Sequence, residues 1–278
     1  MDGATEELRR IADALARLAG SASGPQTDWM ASPAYVWDGA AALGVAAIEA
    51  PALALLKGID QQKSSVTRNV ERLSHGHAAH DLLLWGARGM GKSALIRSAV
   101  REAQAARPGS IALVQVSPDA VEHLPALFRQ LRTVERNFLL FIDDLGFAEG
   151  DAASPRQIRS WLEGGVDARP GNVRLAVTSN HRAIVPRSSS EQNDPLNPRD
   201  AVDDTLALAD RFGLSLGFHN CTQDVYLDIV GGYADRFGLA WDRAEALEWS
   251  KRRGTRSGRT AWQFITELAG RAGIQLTR

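Results

Sequence analysis

"LLLWGARGMGKSALIR", residues 82–97, decides how the chain is read. Four large apolar residues run into Gly86, four more positions intervene before Gly91-Lys92-Ser93, and apolar residues then recur at helical spacing. A Gly-x-x-x-x-Gly-Lys-Ser pattern set between a strand and a helix is a phosphate-binding loop. Glycine lets the loop turn its amides inward toward a polyphosphate, and the helix that follows adds the partial positive charge of its N-terminus. Gly86, Ala87, Arg88, Gly89, Met90, Gly91, Lys92, Ser93 and Ala94 are thereby expected to cradle a nucleotide, with Lys92 on its β- and γ-phosphates and Ser93 on Mg2+.

Outward from this stretch, short apolar bursts alternate with helical patterns. The bursts are 81–86, 111–117, 138–143, 172–179 and 213–218. Continuous apolar runs of this length suit strands buried on both faces, so the expected fold is α/β, a parallel sheet flanked by helices. Beyond 220 three helices are expected, capped by Thr222, Asp242 and Ser257, with Tyr226, Ile229, Val230, Tyr233 and Phe237 on the buried stripe of the first. Gly231-Gly232 should bend or break that helix. Before the loop, Leu8, Ile11, Leu15 and Leu18 mark an amphipathic helix, and an Ala-rich helical segment is expected over 38–57. The stretch 186–200 reads as a loop. The resulting division is an N-terminal helical extension (1–54), a nucleotide-binding α/β domain (55–220) and a C-terminal helical lid (221–278).

The chain has 278 residues, 44% of them hydrophobic, enough for one large core or two modest ones. Its formal net charge of −1 argues against wholesale adhesion to nucleic acid. The single cysteine, Cys221, excludes an internal disulfide and suits a reducing compartment. No signal-like h-region opens the chain and no apolar run approaches the roughly 20 residues of a membrane span. A cytoplasmic protein without a membrane partner is expected.

"FLLFIDDLG", residues 138–146, places two acids at the carboxyl end of a buried strand, where ligands of open α/β sheets bind. Asp143 is expected to hold Mg2+ and Asp144 to orient the attacking water. Asn180 ends the burst at 172–179, and would stand beside the γ-phosphate if that strand neighbours the loop strand. Capping its own turn is the plainer role for an Asn there. Arg211 precedes the last burst, where it can serve as an arginine finger for a neighbouring subunit or pair with Asp204 or Asp210. Arg259, at the start of the last helix, can fold back onto a nucleotide, in competition with Arg256.

Taken together, "LLKGIDQQK" (55–63), "LLLWGARGMGKS" (82–93), "FIDDLGFAEGD" (141–151), "LEGG" (162–165), "TSN" (178–180), "ADRFGL" (209–214) and "SGRTAWQF" (257–264) resemble the AAA+ P-loop ATPases. The nearest resemblance is to a bacterial AAA family catalogued as a domain of unknown function. It implies ATP and Mg2+ as cofactors, Walker A at 86–93, Walker B at Asp143 and Asp144, sensor 1 at Asn180, a trans finger at Arg211 and sensor 2 at Arg259. It also implies that Gly58 and Ile59 pack on adenine, that the chain self-associates through the Arg211 surface, and that a protein client is remodelled or loaded. Asp144 stands where most of the family carry a longer glutamate, and Met90 is bulkier than the usual residue. A slow nucleotide-gated switch, a DNA-linked loader and a P-loop kinase are the alternatives. The kinase leaves the helical C-terminus and Arg211 without a role.

Other features read more plainly. The basic cluster "SKRRGTRSGR" (250–259), Arg259 apart, is a solvated surface before it is a nucleic-acid contact. His75, His77 and His80 have metal-like spacing without an evident Cys or carboxylate partner. Cys221 lacks a nearby base and reads as packed.

Overall fold

All five apolar bursts become strands, and two further strands precede them. The computed structural model describes residues 27–145, 169–180 and 211–276. In chain order the strands are β1 (Ala34–Trp37), β2 (Ala42–Val45), β3 (Leu82–Gly86), β4 (Ile111–Val116), β5 (Asn137–Ile142), β6 (Val173–Ser179) and β7 (Leu214–Phe218). The described helices are α1 (Asp60–Ser74), α2 (Lys92–Ala106), α3 (Leu124–Leu131), α4 (Gln223–Phe237), α5 (Arg243–Arg252) and α6 (Gly258–Arg271).

The strands form one sheet in the order β2-β1-β4-β5-β6-β3-β7, parallel throughout except for the β1–β2 pair. Alternate residues of β5 feed two cores. Leu139 and Phe141 join the cluster containing Leu95 and Ile96 of α2, while Phe138, Leu140 and Ile142 join Leu127 and Phe128 of α3. Burial on both faces is why these strands read as unbroken apolar runs rather than alternating ones. β3 and β4 follow one another in the chain but lie three places apart, with β6 and β5 between them. That reversal of strand order opens a crevice at the carboxyl ends of β3, β6 and β5.

The Ala-rich helix expected over 38–57 is not formed. Residues 34–45 make a hairpin instead, and 53–55 a short 3-10 turn. The turn is local chemistry: the Asp38 carboxylate accepts from the amides of Ala40 and Ala41 at 2.9 and 2.8 Å, with Gly39 at φ 107° beside it. An Asp-Gly pair between two short apolar runs is a hairpin signal that outweighs alanine's helix propensity. Tyr35 and Trp37 then anchor β1 in the core. The amphipathic helix expected near residues 8–18, the loop 186–200 and the "LEGG" motif lie outside the described residues.

The three expected caps are present. Thr222 accepts from Val225 N, Asp242 from Glu245 N and Ser257 from Thr260 N. Contrary to expectation, α4 runs unbroken through Gly231-Gly232. A Cβ at these positions would stand 3.4 Å from the Trp241 ring and 3.4 Å from the Lys57 side chain, at the edge of ordinary van der Waals contact. Among the described residues, no helix is long and apolar enough to cross a membrane.

Candidate nucleotide-binding site

The loop after β3 is shaped by what presses on it. At Gly86 (φ 115°) a Cβ would fall 2.2 Å from the backbone oxygen of Phe218, and Ala87 N donates to that oxygen at 2.8 Å. The loop is therefore docked on the end of β7. At Gly89 (φ 73°) a Cβ would come within 2.9 Å of Ser257 Oγ and 3.1 Å of Arg259 Cβ, and the Arg259 amide donates to Gly89 O at 3.3 Å. The start of α6 thus rests on the loop's own backbone. Only glycine accepts positive φ and this closeness at once.

One polar chain crosses the crevice. Lys92 is buried, 6% exposed, and its Nζ donates to Gly86 O, Ala87 O and Asn180 Oδ1 at 2.8, 2.9 and 3.0 Å. Asn180 Nδ2 donates in turn to Asp144 Oδ1. Asp144 N donates to Thr178 Oγ1 at 2.8 Å, and the Thr178 hydroxyl donates to Asp143 Oδ1 at 2.6 Å. Ser93 Oγ donates to the same Asp143 oxygen at 2.6 Å. β6 makes this possible by lying between β3 and β5, so that Thr178 and Asn180 reach both neighbours. Among the described residues, Asp144 is the one non-glycine with positive φ, at 55°. Asp tolerates that region better than most residues, and such backbone is held by its surroundings when it occurs at a site.

Burial pulls the Lys92 ammonium below the usual lysine range, and Asp144 and Asp143 act against that shift. Ser93 and Asp143 present a hydroxyl and a carboxylate, the hard oxygen donors that suit Mg2+, so the residues present fit that ion. Among the described residues there is no cluster of three His, Cys, Asp or Glu side chains that could hold a metal. The rings of His75 and His77 stack on one another at 5.5 Å, and His80 is bound through its backbone to the Asn69 amide.

These residues line a cleft of about 400 Å3. Its walls include Gly89, Gly91, Lys92, Ser93, Ala94, Asp143, Asp144, Asn180 and Arg259. Arg88 is exposed and reaches to 4.0 Å from Asp144 Oδ2, while Met90 is buried in the core beneath the loop. Arg256 faces elsewhere, lining a separate depression with Cys221, Ser250 and Lys251. Burial raises the Cys221 thiol to about 11, so it is a packed group and not a nucleophile at neutral pH. Gly58 and Ile59 are absent from the cleft wall: a Cβ on Gly58 would meet Val225 of α4 at 2.3 Å, and Ile59 is buried beneath Gly91. Leu55 and Leu56 take the wall position instead. Arg211 precedes β7, at the sheet end opposite Gly86, and is not brought to this chain's own cleft.

Several lining residues escaped the sequence reading. Thr178 joins both acids, and its signal was only a polar side chain late in an apolar strand. Tyr233, Phe237 and Trp262 line the α4 and α6 side of the cleft, Trp262 meeting Tyr233 edge to face at 5.0 Å and Phe237 at 6.0 Å. Helical spacing marks such aromatics as core, and it does not show which edge of the stripe faces a cleft.

Among solved structures, the fold is similar to that of the Thermotoga maritima RuvB Holliday junction branch migration motor, at 19% identity and a TM-score of 0.50, covering 78% of this chain and 65% of that one. A mutant of the same RuvB gives 0.53 at 19% identity, covering 80% and 66%. The Aeropyrum pernix Orc1 protein in complex with DNA gives 0.54 at 16% identity, covering 80% and 65%. The chain thus spans about two thirds of the length of these proteins, and likeness at this identity concerns the fold, which is that of the AAA+ P-loop proteins. No curated protein sequence matches the chain significantly. The family model described as "Protein of unknown function (DUF815)" matches residues 30–272, and the chain belongs to that family.

Proposed function

We propose that the chain binds ATP with Mg2+ in this cleft and hydrolyses it as one subunit of a cytoplasmic oligomer that remodels or loads a macromolecular client. The observation that carries the reading is the unbroken polar chain from Ser93 through Asp143, Thr178, Asp144 and Asn180 to Lys92. The reading draws on this chain for the groups it assigns to the γ-phosphate, its metal and its attacking water, with Arg211 and Arg259 acting from outside it. Lys92 exchanges its carbonyl partners for phosphate oxygens. Mg2+, held by Ser93 and Asp143, supplies charge neutralisation at the phosphates when bound. Asp144 orients the water, Asn180 reports on the γ-phosphate, and Arg211 reaches the cleft of the adjacent subunit. Arg259 senses the phosphates from α6, and helices α4–α6 act as the lid. Tyr233, Phe237 and Trp262 offer an aromatic wall to the base.

One observation favours a second reading, a slow nucleotide-gated switch. Asp144 is already engaged by Asn180, and its carboxylate is a methylene shorter than the glutamate usual in AAA+ proteins. The two readings separate on turnover and on its concentration dependence. Arg211→Ala is expected to retain ATP affinity and lose turnover by about a thousandfold, and wild-type turnover per subunit should rise with protein concentration. Tight binding with negligible turnover at every concentration establishes the switch, and no binding at all ends both readings. RuvB acts on Holliday junctions and the Orc1 structure holds DNA, so added DNA belongs in the same assay as a test of a DNA-linked client.

A further inference from the structure

Arg97 sits on the cleft wall, and among the described residues its Nε has no partner. It belongs to α2, four residues after Ser93, and lines the cleft with Ser93, Ala94 and Arg101. Its Nε has essentially no accessible surface and no hydrogen-bond partner. Two neighbouring cations on the same helix are engaged. Arg101, one turn further, gives both terminal nitrogens to the carbonyls of Ala50 and Pro51, and Lys92 holds the loop and Asn180. Native structures seldom leave a buried donor unsatisfied, and each such group calls for an explanation; of the five such side chains among the described residues, Arg97 is the one that lines the cleft.

Helix geometry says which part of a ligand Arg97 meets. At about 100° per residue, Arg97 falls between the directions of Ser93 and Ala94 when viewed down the axis. Long helical side chains lean toward the N-terminus, so its guanidinium is carried back alongside the first turn. Ser93 marks the metal and γ-phosphate end through its bond to Asp143. The tethered segment 50–51 marks the opposite wall. Between them passes the part of a nucleotide that leads from the β-phosphate out to the sugar.

Resting on the nucleotide reading above, we propose that Arg97 is a binding residue for the α-phosphate and ribose of the nucleotide, supplying a fork of donors to oxygens that ATP and ADP share. The test is calorimetric titration of ATP and ADP, each with Mg2+, into wild type, Arg97→Met and Arg97→Lys, with the melting temperature of each chain measured without nucleotide. Arg97→Met is expected to weaken ATP and ADP alike, by about tenfold, with the nucleotide-free melting temperature unchanged or raised. Arg97→Lys should recover part of the loss. Unchanged affinities overturn the assignment, as does a loss confined to ATP, which would place the residue at the γ-phosphate. A lowered nucleotide-free melting temperature with intact affinity would make Arg97 structural and equally overturn it. A wild-type chain that binds neither nucleotide removes the proposed function and this assignment together.

Discussion

Thr178→Val removes one oxygen and keeps the side chain's shape, and that oxygen joins the two acids. Its hydroxyl donates to Asp143 Oδ1 at 2.6 Å and accepts from Asp144 N at 2.8 Å, in a residue only 1% exposed. A bond to a charged acceptor contributes about 1.5–3 kcal/mol and a neutral one about 1 kcal/mol. Asp144 is exposed, so water recovers part of the loss at its amide. The expected net destabilisation is about 2–3 kcal/mol, or a melting temperature lower by about 5–10 °C in a chain of this size. Asp144 also loses the contact that holds its amide at positive φ, so its carboxylate should drift from the position a water needs. Turnover should then fall by at least about tenfold while ATP affinity changes little, since Lys92 and the loop are untouched. Scanning calorimetry, nucleotide titration and phosphate release measure the three quantities, and Thr178→Ser, which keeps the hydroxyl, should restore all of them. An unchanged melting temperature and turnover in Thr178→Val would refute the idea that this hydroxyl positions the acids. So would a loss that Thr178→Ser shares in full.

Gly86→Ala should destabilise the chain by about 3 kcal/mol or more, because its Cβ meets the Phe218 oxygen at 2.2 Å at a φ of 115°; urea titration of the purified variant measures this, and near wild-type stability would deny the docking of loop on β7. Cys221 gives a pH signature: its raised folded pKa means that the unfolded chain ionises first, so the thiol's contribution is intact below about pH 9 and is lost by about pH 11. Stability curves of wild type and Cys221→Ser should therefore converge by an amount on the order of 2–3 kcal/mol across that interval, and parallel curves would show that the thiol is not desolvated by folding.

How much of this was legible in advance depends on the range over which each signal acts. The loop at 86–93 and the strands were readable because their causes are local: a glycine pattern, and apolar runs that both sheet faces must bury. The caps at Thr222, Asp242 and Ser257 were readable for the same reason, each needing only an oxygen three residues ahead of an amide. The hairpin at 34–45 was misread because alanine content was weighed above the Asp38-Gly39 turn. Gly231-Gly232 misled in a related way. Their cost to a helix is intrinsic, whereas the contacts that hold α4 against its neighbours through them are tertiary. Thr178, Arg97 and the wall position of Leu55 and Leu56 were illegible, since each depends on which strand or helix face ends beside which other one. Sheet order is what decides that, and it was expected only as a condition on Asn180, which holds because β6 pairs with β3.

The same long-range contacts explain why a change at the phosphates need not stay there. The C-terminal helices touch the rest of the chain at the cleft in two places. One is the loop itself, where the Arg259 amide holds Gly89 O and Ser257 leaves no room for a Cβ on Gly89. The other is the segment 55–58, where Gly58 lies under Val225 and Lys57 reaches Gly232 of α4. That segment also forms the cleft wall through Leu55 and Leu56, and is pinned to α1 by Lys63 Nζ on Leu56 O at 3.0 Å. A ligand that draws in the loop backbone at Gly89 must move or strain the start of α6, because the contact is backbone to backbone and no side chain can flex to absorb it. Under the proposed function, a rotation driven from there would have its second support at 57–58, so the helices should turn as a unit about that segment rather than detach. The two contacts lie on different elements, as the proposed coupling requires if binding at one is to do work at the other.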